Sequence, residues 1–167
     1  MSETLQPALP DQLDEQAERL MRRLCERDLT IATAESCTGG MLAALLTDIE
    51  GAGHAFERGF VTYTKESKTE LLGIEPGVLE HNDAVSEPVA RAMAEGALTR
   101  SQADLALGVT GFAGPAGDRC EEGLVHMALA RKNAPTRHRV EHFGAAGRGP
   151  VRVKSLQAML EMLEEAL

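Results

Sequence analysis

The sequence predicts an α/β protein, a three-layer α/β/α sandwich with a mixed sheet. Three observations predict it. Helical and strand-like patterns alternate along most of the chain. The alternation breaks once, late, where Leu124 to Ala130 and Thr136 to Phe143 follow one another as two strands around Asn133-Ala134-Pro135, a joint short enough for an antiparallel hairpin. Finally, Leu105 to Val109 is apolar throughout, as a central strand covered on both faces requires. The 167 residues, 43% of them hydrophobic, suffice for one core.

Met1 to Pro10, polar with two prolines, reads as a flexible leader, and residues 11–167 as a single domain. From Asp11, Leu13, Ala17, Leu20, Met21 and Leu24 recur at helical spacing, and Arg27-Asp28 ends that helix. A short buried strand begins at Thr30. Met41 to Leu46 suits a buried helix that stops near Thr47–Asp48, followed by a loop around Gly51 and Gly53. Gly59 to Thr64 alternates like a strand. Thr64 to Leu72 reads as a short helix closed by Gly73. Gly77 to Asp83 reads as a turn with a brief helical piece. Ser86-Glu87-Pro88 then starts a helix, with Ser86 as N-cap, that runs to about Ser101. After the Leu105 strand, Thr110 to Gly117 holds three glycines and a proline, which cannot continue a sheet. Gly144 to Pro150 is a further glycine-rich loop, leading into a last helix that faces the core through Val151, Leu156, Met159, Leu160 and Leu163. These loops follow strands or precede helices, so they are expected to gather at one edge of the sheet.

Composition narrows the function. Lys and Arg number 17 against 26 Asp and Glu, a formal charge of −9, which speaks against nucleic acid or an anionic membrane as partner. Aromatics make up only 3%, with one Tyr and no Trp, which argues against single-strand nucleic-acid binding through stacked bases. No apolar run reaches the length of a membrane span, and the N-terminus has no signal-peptide pattern. Cys25, Cys37 and Cys120 are odd in number and fit no metal spacing, so free thiols in a reducing, cytoplasmic setting are expected, with no metal and no cofactor. A small anionic ligand fits if a local basic pocket holds it. A homo-oligomer is left open.

The chemistry concentrates at Thr30 to Gly40, T-I-A-T-A-E-S-C-T-G-G. Ser36, Cys37 and Thr38 lie where a strand turns into a helix, a place where free N–H groups and the positive end of the helix dipole serve a nucleophile, an oxyanion or a phosphate. The same position serves a plain N-cap, and the residues alone leave both readings open. Cys37 is an alternative nucleophile or a small buried residue. Walker A and nucleophile-elbow patterns are absent. Lys65 and Lys68 follow the strand that holds Tyr63. Lysines on a short helix are ordinarily solvated, but Lys68 falls about one turn in, from where it leans over the sheet end beside Ser36. Arg148 precedes a helix N-terminus, an unfavourable pairing of positive charges unless an anion comes between them.

Several stretches together resemble the CinA C-terminal domain family, which includes stand-alone nicotinamide-nucleotide amidases. They are A-E-S-C-T-G-G at Ala34 to Gly40, F-E-R-G-F-V-T-Y at Phe56 to Tyr63 with Lys68, and A-V-S-E-P-V at Ala84 to Val89. T-G-F-A-G-P at Thr110 to Pro115 and G-R-x-x-V-R at Gly147 to Arg152 complete the set. The resemblance covers nearly the whole chain from the first helix and implies a CinA C-terminal-domain-like fold. It implies hydrolysis of nicotinamide mononucleotide to nicotinic acid mononucleotide and ammonia, in pyridine nucleotide recycling. It places the nucleophile on Ser36, the base on Lys68 and the family tyrosine on Tyr63. Thr38, Gly39, Gly40, Thr110, Gly111 and Arg148 resemble its ligand-contacting positions. The chain departs from the family's pattern at Phe112, Leu124, Gly147 and residues 118–122.

A serine needs a base, and the five histidines lie in no recognisable motif. A lysine serves only when neutral, which burial or a nearby cation can bring about. The expected mechanism has Lys68 take the Ser36 proton, Tyr63 orient Lys68 or relay a proton, and amides at Thr38 to Gly40 hold the oxyanion. Arg148 and the Thr110 loop bind phosphate. The competing expectation is a regulatory, competence- or damage-linked module that binds a nucleotide without hydrolysing it.

Overall fold

The computed structural model describes residues 9–118 and 120–167. Most of the expected leader, residues 1–8, lies outside the described residues. Its last part packs: Leu9 is buried in the core.

The elements are α1 (Asp11–Glu26), β1 (Ile31–Glu35), α2 (Met41–Thr47), β2 (Phe56–Val61), α3 (Lys65–Leu72), α4 (Pro76–His81), α5 (Glu87–Thr99), β3 (Leu105–Gly111), β4 (Leu124–Arg131), β5 (Ala134–His142) and α6 (Arg148–Ala166). A 3₁₀ turn at Gly53–Ala55 precedes β2. The five strands form one sheet in the order β2-β1-β3-β4-β5. β2 and β3 lie parallel to β1, while β3, β4 and β5 are antiparallel neighbours, so the sheet is mixed as expected.

The two faces of the sheet bury different residues. Ile31, Leu105, Leu107, Val109, Val125, Met127 and Leu129 face α1, α2 and α6. On the other face, Ala32, Ala34, Ala106, Ala128 and Ala130 lie under α5, with α3 and α4 beside it. The period-2 alternation of large and small residues therefore sets the thickness of each layer. Gly108 lets α5 close onto β3: a Cβ there would lie 2.7 Å from the Ala94 nitrogen. Gly96 does the same on the helix's far side, where a Cβ would lie 2.4 Å from the Leu72 carbonyl oxygen.

Several boundaries differ from expectation, each for a physical reason. β2 occupies Phe56–Val61 rather than Gly59 to Thr64, because its partner β1 ends at Glu35, which pairs with Val61. Thr64 caps α3 instead: the Ser67 amide donates to its hydroxyl while its own amide donates to the Ser67 hydroxyl. The hairpin turns on Lys132 and Asn133, with Arg131 paired to Ala134, and Pro135 is tolerated because β5 is an edge strand. Ser86 stands at the N-cap of α5, yet its hydroxyl donates back to the Asp83 carbonyl and caps nothing.

The carboxyl ends of the three parallel strands point to one edge. The antiparallel β4 starts at that edge and β5 ends there, so the loops after β1, β3 and β5 converge, as the sequence predicts. Phe143 and Gly123 are joined across this edge by an amide-to-carbonyl bond of 2.9 Å. Among the described residues, no helix is long and apolar enough to cross a membrane.

Gly96→Ala tests the close approach of α5. Although alanine is intrinsically the better helix former by ~1 kcal/mol, the variant is expected to be destabilised by ~1–3 kcal/mol, read from urea denaturation, because rigid backbone stands where the methyl must go.

Candidate active site

Ser36 sits one residue past β1, held to the sheet by its amide, which donates to the Val109 carbonyl. Its side chain is only 7% exposed. Lys68 lies in the first turn of α3, which starts within a few residues of β2, the strand next to β1. That placement carries the lysine over the end of β1. Its amine is 3.1 Å from the Ser36 hydroxyl oxygen, and it donates to the carbonyls of Thr62 at 2.9 Å and Tyr63 at 3.4 Å. The side chain is 2% exposed and forms no ion pair among the described residues. Burial pulls its pKa below the ordinary lysine value, with the neighbouring Cys37 pulling weakly the other way.

Cys37 is buried with its side chain in the core, and burial pushes its thiol up to about 12. A thiol held protonated is a poor nucleophile. Of the two neighbours, Ser36 is the one that touches the amine.

Tyr63 approaches the amine through its backbone carbonyl only; the residue is 69% exposed. The geometry therefore supports orientation of Lys68 by Tyr63 and gives no support to a proton relay through its phenol. Thr38 is fully buried, and its hydroxyl has no hydrogen-bond partner among the described residues. Gly39 and Gly40 adopt φ of +62° and +95°, where a side chain would be strained. Their amides are engaged: Gly39 donates to the Ser36 carbonyl at 3.1 Å and Gly40 to a Glu35 carboxylate oxygen at 3.1 Å. The expectation that amides at Thr38 to Gly40 jointly hold an oxyanion is corrected on this point, since two of the three already have acceptors.

Thr110 and Gly111 belong to β3 rather than to the loop after it. The Thr110 hydroxyl donates to the Ala84 carbonyl at 2.7 Å, tying down the segment before α5. Gly111 is crowded by β4: a Cβ there would lie 2.8 Å from Val125. Arg148 is the first residue of α6 and exposed. Its guanidinium lies beside Gly114 in the loop after β3 and has no acid partner among the described residues.

Two residues at the site escape the sequence reading. Glu35, fully buried, accepts from the amides of Gly40, Leu42 and Ala43 at 2.8–3.1 Å, so its carboxylate fills the N-terminus of α2. Arg152 donates from Nε to the Cys37 carbonyl at 2.7 Å, with a guanidinium nitrogen against Gly39. Both stand in the quoted motifs, and the signal was their type: a carboxylate in an apolar strand and an arginine one turn after Arg148.

A family model described as the CinA C-terminal domain matches residues 13–167. A CinA-like protein of Akkermansia muciniphila is 53% identical over 116 residues, 68% of this chain and 28% of its own length. One from Syntrophobacter fumaroxidans is 42% identical over 156 residues, 92% of this chain and 37% of its own. The chain thus spans well under half the length of these relatives. Among solved structures, the competence/damage inducible protein CihA from Agrobacterium tumefaciens is similar with a TM-score of 0.91 at 40% identity, covering 94% of this chain and 96% of that one. A competence-damaged protein (CinA) superfamily protein from Escherichia coli gives 0.87 at 35% identity, covering 93% and 90%.

Iodoacetamide at pH 8 separates the thiols. Exposed Cys120 is expected to be alkylated within minutes while Cys37 in the native protein stays unmodified, as read by peptide mass spectrometry. Rapid alkylation of native Cys37 would return it to consideration as nucleophile.

Proposed function

This chain belongs to the CinA C-terminal domain family, and from that premise we propose that it is an amidohydrolase that converts nicotinamide mononucleotide to nicotinic acid mononucleotide and ammonia, in pyridine nucleotide recycling. The observation that carries the reading is the buried Lys68 amine 3.1 Å from the Ser36 hydroxyl, in no ion pair with a carboxylate among the described residues.

A neutral amine has two N–H bonds and one lone pair. The Thr62 and Tyr63 carbonyls take the two N–H bonds, which turns the lone pair toward the Ser36 hydroxyl. Lys68 accepts the Ser36 proton as Oγ bonds to the carboxamide carbon. The tetrahedral intermediate collapses, the C–N bond breaks, and Lys68 returns the proton to the departing ammonia. Water, deprotonated by the same amine, then opens the ester and regenerates Ser36. Tyr63 acts through its carbonyl. Arg148, exposed beside the loop after β3 and without an acid partner among the described residues, receives the phosphate, while Gly39 and Gly40 let the pyridine ring approach the turn. Thr110 holds the neighbouring segment in place through Ala84.

Ammonia release from nicotinamide mononucleotide tests the reading. Ser36→Ala, Lys68→Met and Lys68→Arg are each expected to lose activity by a factor of about 10³ or more with folding intact, because neither methionine nor guanidinium accepts the proton. Lys65→Met is expected to stay within a few-fold of the parent. Since the folded pKa of Lys68 is lowered, its neutral form gains population as pH rises, so kcat/KM should climb through an acid limb placed below the ordinary lysine value. Full activity of the Lys68 variants would overturn the mechanism. Tight binding without turnover would instead favour the regulatory module.

Arg148→Ala probes the phosphate assignment. KM for the mononucleotide is expected to rise about 10- to 100-fold with kcat little changed, while turnover of nicotinamide riboside, which has no phosphate, should not respond. An equal effect on both substrates would refute it.

A further inference from the structure

The turn after β1 can be followed amide by amide. Ser36 donates to Val109, Gly39 to the Ser36 carbonyl and Met41 to the Thr38 carbonyl. Gly40, Leu42 and Ala43 donate to the Glu35 carboxylate. The amides of Cys37 and Thr38 remain, and neither donates to an oxygen among the described residues.

Both are also fixed in direction. A peptide group is planar and trans, so its N–H points opposite to its carbonyl. The Ser36 carbonyl is held by the Gly39 amide, which orients the Cys37 N–H. The Cys37 carbonyl is held by Arg152 Nε at 2.7 Å, which orients the Thr38 N–H. Glu35 fixes this arrangement from the other side: by gathering the α2 amides it sets where the helix begins relative to the serine. It also keeps those amides from competing for a developing anion. The amide that follows a nucleophile in sequence is a recurrent oxyanion donor.

We propose that the oxyanion hole consists of the Cys37 and Thr38 amides, with Glu35 and Arg152 as the positioning residues that hold the two peptide planes in place. This rests on Ser36 being the nucleophile, and on nothing about which amide is hydrolysed.

A fluorophosphonate probe tests it without any natural substrate. Ser36 Oγ bonds to phosphorus, fluoride leaves, Lys68 takes the proton, and the phosphoryl oxygen occupies the oxyanion hole. Glu35→Gln presents an NH₂ to amide donors and cannot accept all three bonds; Arg152→Ala frees the Cys37 carbonyl. In each, the maximal rate of Ser36 labelling, kinact, is expected to fall about 10- to 100-fold with the probe's KI within about twofold. Added guanidinium should recover part of the rate in Arg152→Ala and none in the parent.

Folded variants that label at the parental kinact would overturn the proposal, as would a loss confined to KI or a wild-type protein whose Ser36 does not react. If one variant fails to fold, the other decides by the same criteria. Normal labelling that depends on Glu35 and Arg152, together with no ammonia from nicotinamide mononucleotide, would sink the substrate assignment and leave this inference standing.

Discussion

The site depends on one buried amine. Lys68 is placed by three facts acting in sequence. β2 stops at Val61 because its partner stops at Glu35, Thr64 caps the next helix through a reciprocal bond with Ser67, and a lysine one turn into that helix then overhangs β1. Moving any of these by one residue would rotate the amine by about 100° around the helix and away from Ser36. The burial that places the amine also lowers its pKa, so position and protonation state share a cause.

Among the described residues, the charges around that amine are arranged so that none pairs with it. Glu35, the carboxylate next to Ser36 in sequence, is consumed by the amides of α2. Arg152 is engaged with a carbonyl rather than an acid. Four of the five histidines have partners elsewhere: His126 and His138 bond to each other at 3.0 Å on the face under α5, with Glu87 beside His138, His142 meets Glu121, and His81 meets the Gly77 carbonyl. Ser36 thus touches Lys68 and, among the described residues, no histidine.

Most of the fold was legible because it is written in local pattern. The helical stripe of α1, the apolar run of β3 and the glycine closing α3 each report their own element. Where the reading slipped, the deciding partner was distant or the competing bond subtle. The end of β2 is set by β1, and Ser86 prefers the Asp83 carbonyl to the helix it precedes. The site divides the same way. Ser36 and Lys68 stand out by residue type at a strand end. Arg152 could not be placed, since its contact with Cys37 spans 115 positions of sequence. Of the two roles open to Tyr63, its carbonyl, a group every residue has, supports the orienting one.

The motif A-V-S-E-P-V contains no residue that touches the reacting groups, yet its place in the fold explains why it accompanies them. The small residues on one face of the sheet let α5 lie close to β3, and that closeness brings Ala84 within reach of Thr110. The Thr110 hydroxyl then ties the entrance of α5 to the last turn-ward residues of β3, just before the loop against which Arg148 rests. The proposed ligand, reaching from Ser36 to Arg148, needs those two strand ends held at a constant separation. β1 and β3 are adjacent and parallel, so the sheet fixes the base of that separation, and the Thr110–Ala84 bond fixes its rim. Packing on the alanine face and the geometry of the glycine edge are thus linked through the Thr110–Ala84 bond, which ties the entrance of α5 to the end of β3.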